Sequence, residues 1–397
     1  MRLERTFHPV GHGAFYTEKF ISDEGKMEYC VVYDCGCFVA ANDGVSIKDY
    51  KRRIDSIIDG CFPRKDNKPI VNALFLSHLH TDHILGVKHL CDVCDVKRII
   101  LPQLSELEQT DMYLASLSYL EEDDYEIVSV LLDSWETIQK KDPLFVLKGK
   151  ENDETLNVNE EERSRFFIDS LIGKTSIPNG SIIDLSVEFL WSYIPFNSPV
   201  HKANLVRLSA SLKQFPFINK NNSIDFDKLR EFLKNNGITS IKSVYKSIFP
   251  LENEYSMTLL SGRPDSCKNN CEKKCHKAGD NQPRYCVLNC LYLGDYTVNE
   301  PGYWDGLWRY YGQRLKSVGL IQVPHHGSEK NYSDNLYCSS LPDKTNALNK
   351  VSIISADTDD GYGHPDKATL DGIRKNNGIP ILVSEKSISK QCYNYLL

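Results

Sequence analysis

The chain has 397 residues, 41% hydrophobic and 25% charged, which is enough apolar material for a folded core. Its formal net charge of −7 argues against a surface that coats nucleic acid over its whole extent, and leaves room only for a local basic groove. The opening MRLERTFHPVG lacks the apolar segment of a secretory signal and no run is long enough to span a bilayer, so a cytoplasmic setting without a membrane partner is expected, with the 13 cysteines as thiols or metal ligands.

In chain order, CVVYDCGCF (30–38) and VNALFLS (71–77) are short β-rich apolar runs, expected as buried strands. Between them SIKDYKRRIDSIIDGCF has helical spacing, with Ile54, Ile57 and Ile58 on one side. VKHLCDVC reads as a short helix and VKRIILP as the next strand. Residues 105–165 then hold 17 acidic and 6 basic residues, which predicts an acidic helical insertion at about 101–165, with a mobile stretch near KGKENDETLNVNEEE. Strands return at GSIIDLSVEFLWSYIP (180–195).

Residues 200–250 carry 9 Lys or Arg against 3 Asp or Glu, a basic helical insertion in which FDKLREFLKNNG ends on a glycine cap. It reads either as a solvated helix face or as a phosphate-attracting wall. Further strands are expected at EYSMTLLSG (254–262), CVLNCLYLGDY (286–296), GLIQVPHHGS (319–328) and VSIISAD (351–357). In YWDGLWRYYG, Trp304, Trp308, Tyr310 and Tyr311 form either the apolar face of a helix or a base-stacking platform. The loop at 263–290 holds Cys267, Cys271, Cys275, Cys286 and Cys290. A structural zinc is one expectation for it; buried strand thiols at Cys286 and Cys290, or a redox switch, are the others. Cys35, Cys37, Cys91 and Cys94 are expected as core thiols.

The chemistry concentrates in SHLHTDH, where His78, His80, Asp82 and His83 follow an apolar strand. On a strand His78 and His80 share a face, and a turn into a helix carries Asp82 and His83 to a second position nearby. Imidazole and carboxylate suit zinc or a similar divalent ion, manganese included. Against this stand two plainer readings: surface histidines, or a closed structural site.

These residues resemble the metallo-β-lactamase superfamily of hydrolases, which implies an α/β fold: an αββα sandwich of two mixed sheets flanked by helices, one domain over 1–397. The resemblance implies two metal ions, with Asp295 of YLGD bridging them and Asp34 of VYDCG supporting the ligand histidines from behind. PVGHGAFY, NEYSMTLL, VPHHGS and YGHP resemble the ComEC-like branch, with His12 replacing a glutamine and implied, like Asp34, as a supporting residue. One of His325 and His326 is expected as a ligand, with His326 favoured, and His364 is expected to line the pocket as a proton donor. Asp82 and His364 are thus the expected catalytic side chains. His201 is the one candidate for the extra ligand many members have. A pair of metals activates water and stabilises developing charge, and His80, where redox di-iron members carry glutamate, argues for hydrolysis. The expected substrate is a phosphodiester, from a nucleotide or nucleic acid; the alternatives are a non-phosphate ester, thioester or lactone, or a non-catalytic metal-binding module in a larger assembly.

Overall fold

The computed structural model describes residues 1–37, 46–149, 163–198, 205–248, 256–263, 289–300, 302–337, 350–357 and 363–397. Two eight-stranded sheets dominate. The first runs, edge to edge, through Ser176–Ile177, Leu144–Val146, Ile99–Pro102, Ala73–Phe75, Met27–Cys35, Phe15–Ile21, Arg2–Phe7 and Gln391–Leu396. The second runs through Arg165–Phe167, Ile182–Asp184, Ser192–Phe196, Thr258–Gly262, Asn289–Tyr292, Val318–Gln322, Val351–Ser355 and Ile379–Val383.

Strand alternation divides the apolar residues between two faces. Tyr33 and Phe75 point inward, against Tyr193, Tyr292, Leu320 and Ile353 of the second sheet. Their neighbours Val32 and Leu74 point outward, under a helical layer. On the second sheet Leu291 and Ile354 turn out, under the helices Tyr303–Tyr311 and Lys367–Lys375. The result is the four-layer αββα sandwich. Among the described residues no helix is long and apolar enough to cross a membrane.

The helices over the first sheet are α1 (Ile47–Cys61), α2 (Thr81–Ile84), α3 (Val87–Val93), α4 (Glu106–Tyr119), α5 (Tyr125–Lys140), α6 (Leu205–Leu212), α7 (Phe226–Asn236) and α8 (Thr239–Ile248). Asp225 caps α7 by accepting the Lys228 N–H at 3.1 Å, and Gly237 ends that helix with a φ of 69°. The acidic stretch does not behave as one insertion. Its middle forms α4 and α5, while Leu144–Val146 and Arg165–Phe167 join the two sheets; 150–162 lies outside the described residues.

The acidic and basic helices fold onto each other and share one apolar cluster, in which Trp135 and Tyr113 meet Phe226. Arg230 of α7 pairs with Asp133 at 2.8 Å and with Glu136, and Lys242 of α8 pairs with Glu121 at 2.8 Å. Glu122 accepts the Ile238 and Thr239 N–H groups at the start of α8. The tyrosines of YWDGLWRYYG are core residues, with Tyr310 and Tyr311 hydrogen-bonded to the carbonyls of Pro195 and Ile194, so this run is a packed helix face.

Candidate metal centre

The site is built first by the strand Met27–Cys35, which delivers Asp34 fully buried and in the left-handed region, with φ 55°. Its carboxylate accepts the Ser77 N–H at 2.7 Å, the Ser77 hydroxyl at 2.8 Å and the His83 Nδ1–H at 2.8 Å. The Ser77 hydroxyl, its proton given to Asp34, lies 2.9 Å from His78 Nδ1 and accepts a proton from it. One carboxylate therefore sets the tautomer of two rings, directly at His83 and through Ser77 at His78. With a cation bound, both would offer it an unprotonated Nε2, the form a metal requires.

The strand Ala73–Phe75 ends at this point, and the chain turns through His80 into α2. Helix α5 holds the turn from behind: Trp135 Nε1–H donates to the Leu79 carbonyl at 3.0 Å and Ser134 to the Leu85 carbonyl at 3.2 Å. On the other side Gly13, with φ 141°, presses on the same turn. A Cβ there would stand 2.5 Å from Cys37 Cα and 2.8 Å from the Asp82 carbonyl oxygen, so no side chain fits. From the second sheet, the strand Asn289–Tyr292 leads through Gly294 to Asp295, whose N–H donates to Ser256 Oγ at 2.9 Å. Ser256 Oγ is also 3.1 Å from His78 Nδ1, and so joins the two sheets at the site.

These elements gather two donor groups: His78, His80 and Asp295 in one, and Asp82, His83, Asp295 and His326 in the other. Within each, the potential ligand atoms lie within 4.8 Å of one another, and Asp295 belongs to both. His83 Nε2 is 3.1 Å from Asp295 Oδ1 and 3.3 Å from Asp82 Oδ2. His326 Nε2 is 2.9 Å from Asp82 Oδ2, and its Nδ1 is fixed by the Ser355 carbonyl at 2.7 Å.

Two features fit a cation. His78 Nε2 is buried and makes no hydrogen bond, 3.7 Å from Asp295 Oδ2. The charges also lean one way. Burial opposes charge on His83, but Asp82, Asp295 and Asp34 outweigh it and raise its pKa well above the usual value. Burial likewise opposes charge on the carboxyls, yet His83 and His326 hold Asp82, and His325 and His83 hold Asp295, well below the usual carboxylate range. His80 has its pKa pushed by burial to about 4, against the pull of Asp82 and Asp295, which leaves it neutral as a ligand must be.

His325 joins neither group; its Nε2 is 4.0 Å from Asp295 Oδ2 and its side chain is 27% exposed. On an extended segment the two neighbours would point to opposite sides, but this segment is not extended. Both occupy the left-handed region, φ 47° and 55°, in a tight turn that sets their rings 84° apart. His364 lies on the rim, its Nδ1 3.3 Å from Asp366 Oδ2 and its ring 5.9 Å from that of His325. His12 does not support a ligand ring through its Nδ1, which instead accepts the Asp357 N–H at 3.2 Å.

Cys290 departs from the zinc-loop expectation. It is a strand residue in the core between the sheets, with its thiol pushed by burial to about 12, far from the thiolate a metal binds. Cys267, Cys271, Cys275, Cys286 and His201 lie outside the described residues. Sequence reasoning missed Ser77, Ser256, Trp135 and Tyr119. Ser77 was readable, since it directly precedes His78. Tyr119 ends α4 and is 38% exposed. Its phenol is raised to about 12 by burial and by Asp82 and Asp295, so it stands within the field of the centre.

Fold and donor set together are those of a metal-binding α/β sandwich. Residues 24–149 match the family described as the Metallo-beta-lactamase superfamily, a span that holds Asp34 and the whole of SHLHTDH and ends before Asp295. The match supports that superfamily, whose members are largely metal-dependent hydrolases. No curated protein matches the chain.

Proposed function

We propose that this chain is a dinuclear metal-dependent hydrolase acting on phosphodiesters, with His78, His80 and Asp295 holding one ion and Asp82, His83, Asp295 and His326 the other. The observation that carries the reading is the pair of donor groups sharing Asp295. Two divalent ions so placed supply Lewis acidity and a water acidified towards neutrality, and they suit the attacking and leaving oxygens of an in-line displacement. The protein's own part is to fix the donors. Asp34 and Ser77 lock the two imidazole tautomers, and Trp135 and Gly13 clamp the turn that carries them.

In this reading His364, whose Nδ1 is 3.3 Å from Asp366 Oδ2, would give a proton to the leaving oxygen. VPHHGS and YGHP accord with the ComEC-like branch, and this reading adopts it. Two cations of the basic helices, Arg230 and Lys242, are spent on the acidic ones. With a net charge of −7, that favours a small phosphodiester or a single strand over a long duplex.

The test is elemental analysis of protein purified without added ions, then reloading with zinc or manganese. Turnover is then measured on bis-p-nitrophenyl phosphate, cyclic nucleotides, single-stranded DNA, RNA, a thioester and a lactone. Two equivalents of metal and phosphodiester turnover are expected. Turnover confined to the thioester or lactone replaces the substrate class, and two metals with no turnover on any of them rejects an enzyme.

A further inference from the structure

His12 and His326 are neighbours, with ring centroids 5.1 Å apart, and both are anchored by their Nδ1 atoms to the same short segment at the end of the strand Val351–Ser355. The anchors are opposite in kind. His326 Nδ1 lies 2.7 Å from the Ser355 carbonyl oxygen and must donate to it, and its Nε2 lies 2.9 Å from Asp82 Oδ2, to which it donates unless a cation takes that nitrogen. His12 Nδ1 lies 3.2 Å from the Asp357 backbone nitrogen and must accept from it, which puts the ring proton on Nε2. Three consecutive residues thus hold the Nδ1 atoms of adjacent imidazoles in opposite roles, a donor at His326 and an acceptor at His12. One becomes a ligand. The other is barred from ligation in its neutral form and made a donor.

The backbone around His12 is held to the same place. Ala14 N–H donates to the Asp82 carbonyl at 3.1 Å, and Gly13 leaves no space between this loop and the turn that carries Asp82. His12 therefore borders the second donor group, its ring packed edge-on at 63° against that of His326. His364 closes the far side, its ring 6.4 Å from that of His12.

We propose that His12 is a catalytic residue that donates its Nε2–H to a non-bridging oxygen of the bound phosphoryl group, beside the second donor group and not as part of it. A fixed neutral donor aimed at an oxygen that gains charge acts in the same manner as an oxyanion hole. This assignment rests on the phosphodiester reading above.

The test uses the full chain loaded with zinc and three readouts: zinc content, affinity for inorganic phosphate, and long-range nitrogen–proton NMR of the His12 ring. Nε2 is expected to carry the proton, and its signal to move when phosphate is added. His12→Phe is expected to keep both zinc ions, to bind phosphate roughly 10–100-fold more weakly, and to lose on the order of 10²-fold in kcat/KM on bis-p-nitrophenyl phosphate. His12→Gln, whose amide can accept from Asp357 and donate to substrate, is expected to recover most of that loss. A proton on Nδ1, loss of zinc in His12→Phe, or equal damage in the two variants overturns the assignment. Wild-type protein that binds zinc and phosphate with the His12 signal unmoved sinks the role of His12 alone. Wild-type protein that takes up no zinc sinks the reading beneath it.

Discussion

Asp34→Asn tests whether one carboxylate orients both donor groups. The side chain keeps its shape, and Oδ1 still accepts the Ser77 N–H, a 2.7 Å bond in the native protein. The second oxygen becomes an NH2 group, which cannot accept from the Ser77 hydroxyl or from His83 Nδ1–H, bonds of 2.8 Å each. To remain paired, the amide must donate to His83 Nδ1, which moves the ring proton to Nε2 and removes the lone pair. Ser77, its own acceptor lost, no longer holds its oxygen ready for His78 at 2.9 Å. Losing such a supporting bond costs metal affinity about 10–100-fold per site, or roughly 1.4–2.7 kcal/mol. Since one ring in each group is affected, about 10²–10⁴-fold is expected over the pair. Ser77→Ala breaks the link to His78 only, and should weaken the first group alone.

The fold should survive Asp34→Asn. Burial already raises the Asp34 pKa, against the pull of His83 and Ser77, so an amide is no harder to bury than the carboxylate. Competition titration against a chromophoric chelator measures both zinc affinities, and ring-nitrogen NMR of the zinc-loaded protein reports which His83 nitrogen keeps its proton. Two zinc ions bound at native affinity by Asp34→Asn, or His83 still protonated at Nδ1, would refute the wiring.

His8 is fully buried, and burial, with Lys390 and Lys19, lowers its pKa to about 3. Because the folded value lies below the unfolded 6.5 or so, its contribution is complete above pH 6.5 and is lost as pH falls towards 3; the loss at pH 5 amounts to about 2 kcal/mol. Urea unfolding of native protein and His8→Gln at pH 7 and pH 5 should show that difference in slope, and identical pH dependence in the two would reject it. Trp135→Phe leaves the Leu79 carbonyl without its 3.0 Å partner, and should cost about 1–3 kcal/mol while lowering zinc affinity at the turn that Leu79 belongs to. A stability loss with zinc affinity unchanged would mean that α5 packs against the turn without holding it.

The legible parts of the fold are those where a strand is both apolar and β-rich, such as CVVYDCGCF and VSIISAD. The hairpin Arg2–Phe7 with Phe15–Ile21 has no such signature, because Arg5, Glu18 and Lys19 interrupt it and look like surface. They are buried. Arg5 Nε donates to Glu18 at 2.7 Å, and Glu18 also accepts from Tyr193 at 2.7 Å and Tyr292 at 2.8 Å of the opposite sheet. A charge satisfied from 175 or 274 residues away cannot be told from a solvated one by local pattern. The opposite charges of the two insertions were visible as counts, but the pairing of Arg230 and Lys242 with Asp133, Glu136 and Glu121 depends on α7 and α8 packing against α4 and α5.

The centre divides the same way. His78, His80, Asp82 and His83 sit within six residues, and their spacing reflects one strand end and one turn, so local periodicity was sufficient to find them. What makes an imidazole a ligand rather than a donor is which nitrogen keeps its proton, and the groups that decide it come from elsewhere: Asp34 and Ser256 for the first motif, Ser355 for His326 and Asp357 for His12. The His12–His326 pair shows the consequence. Two buried histidines of the same type, side by side, acquire opposite chemistry from a carbonyl and an N–H two residues apart on one segment. Residue identity therefore locates this centre, whereas the backbone that passes behind it assigns the roles.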